Sequence, residues 1–265
     1  MFTDTHAHLD YSDYASDLDQ VIERASEAGV SKVITIGIGR DSIPRSLALC
    51  DRYPNVFAAI GVHPTALDDL RLDEWEILEQ AVKHPKVVAI GETGLDYHHL
   101  PSEKTPGADD DTWKKKQHDY FLRQLELAKK LDKPVVVHCR DAYPDTIKIL
   151  KEFGRFREHP GVMHCFASDS AAAKEVFTLN YVISTGGVLT FKNAPALRAV
   201  VSETPHDKLL LETDCPYLAP VPHRGKRNEP GYTRLVAEKL AEVWNIPLEE
   251  VSRVTEANVK RVFGI

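Results

Sequence analysis

Eight short apolar segments, each followed by an amphipathic segment, constrain the fold of this chain more than any other feature. The apolar segments are rich in valine, isoleucine and leucine without strict alternation, which is typical of parallel strands buried on both faces. They are Met1–Thr5, Lys32–Gly37, Val56–Gly61, Val87–Gly91, Pro134–His138, Gly161–His164, Tyr181–Ser184 and Leu209–Glu212. Eight such units in 265 residues predict an α/β chain with one domain, a (β/α)₈ TIM barrel over residues 1–265. An open, doubly wound parallel sheet is the alternative.

Helical periodicity places a helix after each strand and one more at the end of the chain. The predicted helices are Asp17–Ala28, Asp41–Tyr53, Asp73–Lys83, Trp113–Leu131, Asp141–Phe153, Ser170–Leu179, Pro195–Ser202, Tyr232–Trp244 and the extra helix Leu248–Val262. The stretch His98–Asp111 contains two prolines and one glycine and predicts an irregular loop above the fourth strand. Such a loop is either a solvated surface excursion or a functional lid.

The composition excludes several classes of protein. A net charge of −7 argues against a broad electrostatic footprint for duplex nucleic acid, although a local basic patch remains compatible with it. The sequence has no apolar run near the roughly 20 residues that a membrane-spanning helix needs. Polar residues such as Asp4 and His6 stand where a signal peptide would be basic and then apolar. We therefore expect a cytoplasmic protein without membrane association. Nothing in the sequence suggests an obligate dimer, so a monomer is the default expectation.

Histidines and carboxylates collect at the predicted carboxyl ends of the strands, which is where barrel enzymes carry their catalytic groups. Five of the 12 histidines lie there, and the pair at i and i+2 on the first strand points to one face. The set comprises His6, His8, His63, His138 and His164, together with Glu92, Glu212 and Asp214. This clustering predicts a metal site at the carboxyl-terminal ends of the strands.

The donor types suit divalent metal ions. Imidazole and carboxylate together bind Zn²⁺, and carboxylate-rich sites accept Mg²⁺ or Mn²⁺. The candidates exceed the needs of one catalytic metal, so we predict two metals that activate a water molecule. Glu92 is the expected bridge between them. Asp214, two residues from Glu212 on the predicted strand, is expected to share its face, to bind metal and to accept a proton as the general base.

Basic residues follow two of the strands. Arg140 lies two residues after His138, and Arg224, Lys226 and Arg227 surround a glycine after the eighth strand. Guanidinium groups bind phosphate oxygens in a bidentate manner. Next to a metal site these residues predict a local phosphate-binding patch, and a solvated basic loop is the alternative.

Seven motifs in this order resemble the TatD family of metal-dependent deoxyribonucleases, which is a branch of the amidohydrolase-like barrels. They are Asp-Thr-His-Ala-His-Leu-Asp at 4–10, Ala-Ile-Gly-Val-His-Pro at 59–64, Ile-Gly-Glu-Thr-Gly-Leu-Asp at 90–96, Pro-Val-Val-Val-His-Cys-Arg-Asp-Ala at 134–142, His-Cys-Phe at 164–166, Leu-Glu-Thr-Asp-Cys-Pro at 211–216 and Arg-Gly-Lys-Arg-Asn-Glu-Pro at 224–230. The resemblance covers essentially the whole chain. Two departures are Cys215, where serine or alanine is usual, and the long segment 98–111.

The resemblance implies a ligand set and a reaction. The implied metal ligands are His6, His8, Glu92, His138, His164 and Asp214, with Glu212 serving an additional, third metal. It also implies that His63 and Arg140 hold phosphate, and that the enzyme removes nucleotides from single-stranded DNA in the 3′→5′ direction. Aromatic side chains such as Tyr97 or Trp113 would stack on a base or, alternatively, pack within the fold.

Two other functions are consistent with the same residues. The first is an amidohydrolase-type enzyme that acts on a small ester, amide, lactone or phosphotriester. It is disfavoured because a carboxylate, Glu92, occupies the position on strand four where that branch often carries a modified lysine. The second is a non-catalytic metal- or nucleic-acid-binding protein, which would have no need for the base Asp214.

Overall fold

The predicted eight-stranded parallel sheet is present in a computed structural model, which describes residues 1–67 and 74–265 apart from the side chains of residues 74 and 104. The strands are β1 (Phe2–Ala7), β2 (Val30–Ile38), β3 (Val56–Gly61), β4 (Val87–Asp96), β5 (Val135–Arg140), β6 (Gly161–Met163), β7 (Val182–Thr185) and β8 (Leu209–Leu211). Each strand pairs in parallel with the next, in the order of the sequence.

Backbone hydrogen bonds between the first and last strands close this sheet into a barrel. Ala7 forms a parallel bridge with Cys215. The Asp214 N–H donates to the His6 carbonyl over 2.9 Å, and the His8 N–H donates to the Cys215 carbonyl over 2.8 Å. The closed barrel is therefore confirmed, and the open doubly wound sheet is wrong.

The helices lie between the strands as predicted, with some shifts at their ends. They are α1 (Leu18–Glu27), α2 (Ser42–Arg52), α3 (Glu74–Ala81), α4 (Pro101–Lys104), α5 (Asp110–Leu131), α6 (Tyr143–Phe153), α7 (Ser170–Thr178), α8 (Pro195–Glu203), α9 (Thr233–Trp244) and α10 (Leu248–Phe263). The predicted helix start at Asp73 lies outside the described residues. Within residues 1–67 and 74–265, no helix has the length and apolar character needed to cross a membrane.

The segment His98–Asp111 is more ordered than the sequence predicted. It contains α4, and α5 begins at Asp110 rather than at Trp113. The Asp109 side chain caps α5 by accepting hydrogen bonds from the amides of Asp111 and Thr112, an arrangement that satisfies otherwise unpaired donors at a helix start. The run of aspartates that looked like a solvated loop is thus a helix N-terminus.

Small and branched apolar side chains fill the barrel interior. The cluster contains Ile34, Ile36, Ala59, Ala89, Val136, Val162, Val182 and Leu210 from the strands, with Val259, Val262 and Phe263 from α10. The residues on either side of Val136, Val135 and Val137, belong instead to the core between barrel and helices. This alternation explains the continuous apolar runs of the sequence, since both faces of each strand are buried. It also gives the extra terminal helix a role, because α10 contributes apolar side chains to the barrel interior.

Two glutamines of α5 hold the carboxyl ends of β3 and β4. Gln124 accepts from the Val62 N–H over 2.8 Å and donates to the Val62 carbonyl over 3.0 Å. Seven residues earlier, and so on the same side of the helix, Gln117 makes the same pair of bonds to the Asp96 backbone, over 2.8 and 2.9 Å. Both glutamines are 1% exposed. They give hydrogen-bond partners to buried backbone groups at the ends of these strands.

The basic loop after β8 is fastened to α1 through Arg227, one of the predicted phosphate-binding residues. The Arg227 guanidinium donates to both carboxylate oxygens of Asp17, over 2.8 and 2.7 Å, and to Glu229 over 2.9 Å. Arg24 of α1 completes the cluster with two hydrogen bonds to Glu229. Two carboxylates therefore compensate the Arg227 charge, which gives Arg227 a structural role in this loop.

Replacement of Gln124 by leucine tests the glutamine clamp. The change keeps most of the side-chain volume but leaves the buried Val62 amide and carbonyl without partners. We expect a loss of about 2 kcal/mol in the free energy of unfolding, measured with urea. Gln80→Leu, on the exposed face of α3, is the matched control and should change stability little. Equal stability of both variants would contradict the clamp.

The ion-pair cluster at Asp17 predicts a pH-dependent stability difference. Hydrogen bonds from Arg227 and Arg24 lower the pKa of Asp17 to about 2. A carboxylate whose pKa is lower in the folded state than in the unfolded state stabilises the protein at pH values above the unfolded-state pKa, which is about 3.9. This contribution is lost as the pH falls towards 2. Asp17→Asn should therefore unfold at lower urea than the parent at pH 6, and the gap should narrow at pH 3. If the difference in urea midpoint between the two proteins is the same at pH 6 and pH 3, the charge of Asp17 does not contribute to stability.

Candidate metal centre

Glu92 lies at the middle of the histidine cluster that the barrel assembles. Its Oε1 atom lies 2.7 Å from His138 Nδ1, 2.7 Å from His164 Nε2 and 3.4 Å from His63 Nε2. Its Oε2 atom faces the other way, 3.4 Å from His6 Nε2. The two oxygens of one carboxylate thus face different imidazole groups, which is the arrangement that a bridging carboxylate needs.

Asp214 lies beside the histidine pair of the first strand. Its Oδ1 atom is 3.4 Å from His8 Nε2 and 3.6 Å from His6 Nε2. The Asp214 side chain is 18% exposed, compared with 4% for Glu92 and 1% for Glu212. Asp214 is therefore the member of these three carboxylates that an incoming molecule reaches most easily.

Glu212 and Asp214 do not share a face, which corrects the expectation from their spacing. β8 ends at Leu211, and Asp214 adopts a left-handed backbone with φ of 55°. Glu212 turns towards β7, where it accepts hydrogen bonds from the Ser184 hydroxyl over 2.6 Å and the Cys165 amide over 2.7 Å. Burial raises its pKa to about 7. Its Oε1 atom still lies 3.8 Å from His164 Nδ1.

Several buried imidazole nitrogens in the cluster have no hydrogen-bond partner and are suited to bind a metal ion. Among the described residues, both ring nitrogens of His6 and the Nδ1 atoms of His8 and His164 are buried without a hydrogen-bond partner, which is costly unless a ligand engages them. Burial, reinforced by the neighbouring His164, lowers the pKa of His6 to about 4. The ring is therefore neutral near pH 7 and offers a lone pair, as a metal ligand must.

The charges around Glu92 support the same conclusion. Burial disfavours its ionised form, but the surrounding His164, His63 and His6 hold the pKa of Glu92 well below its usual range. Within residues 1–67 and 74–265, three groups have ligand atoms within 4.8 Å of one another and could each hold a cation: His6 with His8 and Asp214, His63 with Glu92 and His138, and His6 with His164 and Glu212. These groups contain every predicted metal ligand.

The predicted phosphate-binding residues fall into two environments. His63 lies inside the metal cluster, with its Nδ1 atom 2.7 Å from the Thr65 hydroxyl and its ring 4.4 Å from that of His138. Arg140 is exposed at the carboxyl end of β5. Arg224 and Lys226 are exposed in the loop after β8, where the Arg224 guanidinium lies 3.6 Å from the centre of the Phe191 ring.

The sequence prediction did not include Asp96 among the site residues. β4 continues to Asp96 instead of ending at Gly91, and the buried Asp96 Oδ2 atom lies 3.0 Å from His138 Nε2. Burial opposes its charge, but hydrogen bonds from His138 and from the backbone and ring of His99 keep the pKa of Asp96 well below its ordinary value. The signal was available, since Asp96 is four residues after Glu92 in the same motif and strand residues an even number apart share a face.

The aromatic side chains next to the cluster are Tyr11 and Tyr217. The Tyr11 ring stacks on His8 with a centroid separation of 4.9 Å, and the Tyr217 ring meets Tyr11 edge-on at 6.2 Å. By contrast, Trp113 is buried, which agrees with the alternative that it packs within the fold. The Tyr97 hydroxyl donates to Asp145 over 2.8 Å, and its ring lies under Lys114.

The chain is similar to known proteins along nearly its whole length. A family model described as "TatD related DNase" matches residues 3–264. The uncharacterized metal-dependent hydrolase YabD of Bacillus subtilis is 43% identical over 265 residues, with all of both chains covered. YcfH of Escherichia coli, also named an uncharacterized metal-dependent hydrolase, is 38% identical and covers 99% of this chain and 95% of its own.

Solved structures are also similar to this chain. The crystal structure of YjjV, a TatD homologue from Escherichia coli, superposes with a TM-score of 0.90 at 32% identity, covering 100% of this chain and 98% of its own. A lactonase variant from Deinococcus radiodurans has a TM-score of 0.66 at 15% identity, over 99% of this chain and 95% of its own, a likeness of fold alone. With the family model spanning nearly the whole sequence and full-length relatives above 30% identity, the chain belongs to the TatD family of metal-dependent hydrolases.

Proposed function

We propose that the enzyme hydrolyses phosphodiester bonds of single-stranded DNA and removes nucleotides in the 3′→5′ direction. The observation that carries the proposal is the position of Asp214, a carboxylate that is more exposed than Glu92 or Glu212 and lies beside a buried cluster suited to divalent cations. The match to a model described as "TatD related DNase" supports DNA as the substrate. On this proposal the protein works as a monomer in the cytoplasm.

The buried residues and the partly exposed Asp214 have different proposed roles. His6, His8, Glu92, His138, His164 and Asp214 would hold two divalent cations, Zn²⁺, Mg²⁺ or Mn²⁺, and Glu212 would serve a third. Such cations lower the pKa of water and neutralise negative charge on a phosphate. Asp214 would orient the attacking water and accept its proton, because its side chain is partly exposed and, although burial opposes its charge, His8 and His6 hold its pKa below the usual value. Glu92 stays ionised between the imidazoles and keeps their rings in place.

Exposed basic side chains around the opening, which is the carboxyl-terminal end of the barrel where the metal cluster lies, bind the substrate phosphate. Arg140 projects from the end of β5, and Arg224 and Lys226 project from the loop after β8. Arg224 lies over the Phe191 ring. This contact already restricts the side chain, so binding phosphate costs less conformational entropy. His63 contributes from inside the cluster, and Arg227 is left out because Asp17 and Glu229 already bind it.

Exposed apolar side chains next to the cluster suit an unpaired base. Among the described residues, four large hydrophobic side chains are exposed, and three of them follow Asp214 closely: Tyr217 at 54%, Leu218 at 37% and Val221 at 44%. An apolar patch beside a catalytic opening marks a binding surface. We assign Tyr217, with Tyr11 behind it, to stacking against a base of the single strand.

Asp214→Asn should abolish most of the metal-dependent activity. The change keeps the size of the side chain but removes the proton acceptor, so the rate on a labelled single-stranded oligonucleotide with Mg²⁺, Mn²⁺ or Zn²⁺ should fall about 10²- to 10⁴-fold. Asp207→Asn, an exposed aspartate at the opposite end of β8, is the control and should retain full activity.

The same assay separates the alternatives. Turnover of small esters, amides, lactones or phosphotriesters without oligonucleotide cleavage would replace this proposal with the amidohydrolase alternative. Binding of DNA without turnover by any metal form would indicate a non-catalytic binding protein.

Tyr217→Ala should weaken substrate binding without slowing the chemical step. Loss of one stacking ring should raise the KM for an oligonucleotide roughly tenfold, with kcat little changed. Tyr217→Phe keeps the ring and should behave like the parent enzyme. An unchanged KM in the alanine variant would show that the base lies elsewhere.

A further inference from the structure

The His138 ring lies between two buried carboxylates. Its Nδ1 atom is 2.7 Å from Glu92 Oε1, and its Nε2 atom is 3.0 Å from Asp96 Oδ2. An ionised carboxylate only accepts hydrogen bonds, so Nε2 must carry the proton that faces Asp96. Glu92 is an acceptor on the other side, and a cation that binds between Glu92 and the ring would replace the Nδ1 proton, whereas the proton on Nε2 would stay in its hydrogen bond to Asp96. Asp96 therefore selects which nitrogen of His138 is available to a cation.

His138 needs this selection more than the other histidines of the cluster do. His6, His63 and His164 present Nε2 to Glu92, and His8 presents Nε2 to Asp214. His138 presents Nδ1 instead, the nitrogen closer to the backbone. A ring in this orientation points Nε2 away from the cluster, where that atom requires a hydrogen-bond acceptor of its own.

Asp96 is itself held at every polar atom. Its Oδ1 atom accepts from the amides of His98 and His99, over 3.0 and 2.8 Å. The Gln117 side chain fixes its backbone from α5, and the His99 ring contacts both carboxylate oxygens, over 3.2 and 3.1 Å. The carboxylate that faces His138 is thus fixed in position before any cation binds.

We propose that Asp96 is a positioning residue that sets the tautomer and ring orientation with which His138 presents Nδ1 to a divalent cation, and that His99 steadies Asp96 from the surface. The inference rests on the proposed role of His138 as a metal ligand. Acceptors behind metal-binding histidines commonly act in this way, and their loss weakens metal binding about 10- to 100-fold.

The test measures Zn²⁺ affinity of the full chain by competition with a chromogenic chelator. Asp96→Asn keeps the shape but not the charge, and one bound Zn²⁺ should be held about 10- to 100-fold more weakly. His99→Ala should lower the affinity for the same Zn²⁺ by a smaller factor. The His99 side chain is 45% exposed, so its removal should not disturb the core. The Co²⁺-loaded variants should also differ from the parent in visible absorption, which reports ligand geometry.

Asp141→Asn is the matched control. Asp141 pairs with His98 over 3.0 Å, a histidine–carboxylate contact of the same length that involves none of the predicted ligands. Its Zn²⁺ affinity and Co²⁺ spectrum should equal those of the parent. If Asp96→Asn and His99→Ala both behave like Asp141→Asn, Asp96 does not position His138 and the inference is overturned.

His138→Ala separates this inference from the ligand assignment beneath it. Loss of one Zn²⁺ in His138→Ala, together with unchanged affinity in the Asp96 and His99 variants, contradicts only the role of Asp96. Full Zn²⁺ binding by His138→Ala contradicts the ligand role of His138, and with it both proposals about this ring.

Discussion

The site depends on a buried negative charge, that of Glu92. A carboxylate with a 4% exposed side chain is stable only where opposite charge or hydrogen bonds replace the water that it has lost. Here imidazoles from β1, the segment after β3, β5 and the segment after β6 surround it. Two of these rings are in turn directed by a further hydrogen bond, His63 by Thr65 and His138 by Asp96. The arrangement of the carboxyl end of the barrel follows from the need to compensate this one charge and to receive cations beside it.

The helix layer contributes to the site through backbone contacts. Gln117 and Gln124 lie two turns apart on α5 and bind the backbone of Asp96 and Val62, where β4 and β3 leave the sheet. These contacts place Asp96 behind His138 and place His63 beside Glu92. A strand end without such support would have unpaired polar groups and greater freedom. Precision at the metal centre is therefore supplied partly by side chains outside it.

The two halves of the opening differ in character. Around β4 and β5 the polar contacts are dense, and Asp96, His98, His99 and Asp141 are joined in pairs. Around β8 the surface is apolar and basic, with Tyr217, Leu218 and Arg224 exposed beside Asp214. A polar, rigid side suits the holding of cations, whereas an exposed apolar side suits a substrate with flat, unpaired bases. This difference gives the proposed DNA strand a preferred side of the opening.

The sequence by itself determined the eight alternating strands and helices and where the polar ligands gather, whereas the contacts between β1 and the segment after β8 closed the barrel. Strands buried on both faces must be apolar throughout, and parallel strands end at the same edge, so Glu92, His138 and Asp214 could be placed together without coordinates. Only the tertiary structure decided which partner each polar group has. Arg227 binds Asp17, more than 200 residues away in sequence, and the left-handed turn at Asp214 separates it from Glu212. Asp96 supports His138 because β4 continues five residues beyond its apolar run. Such choices depend on contacts between distant segments, which local periodicity does not record.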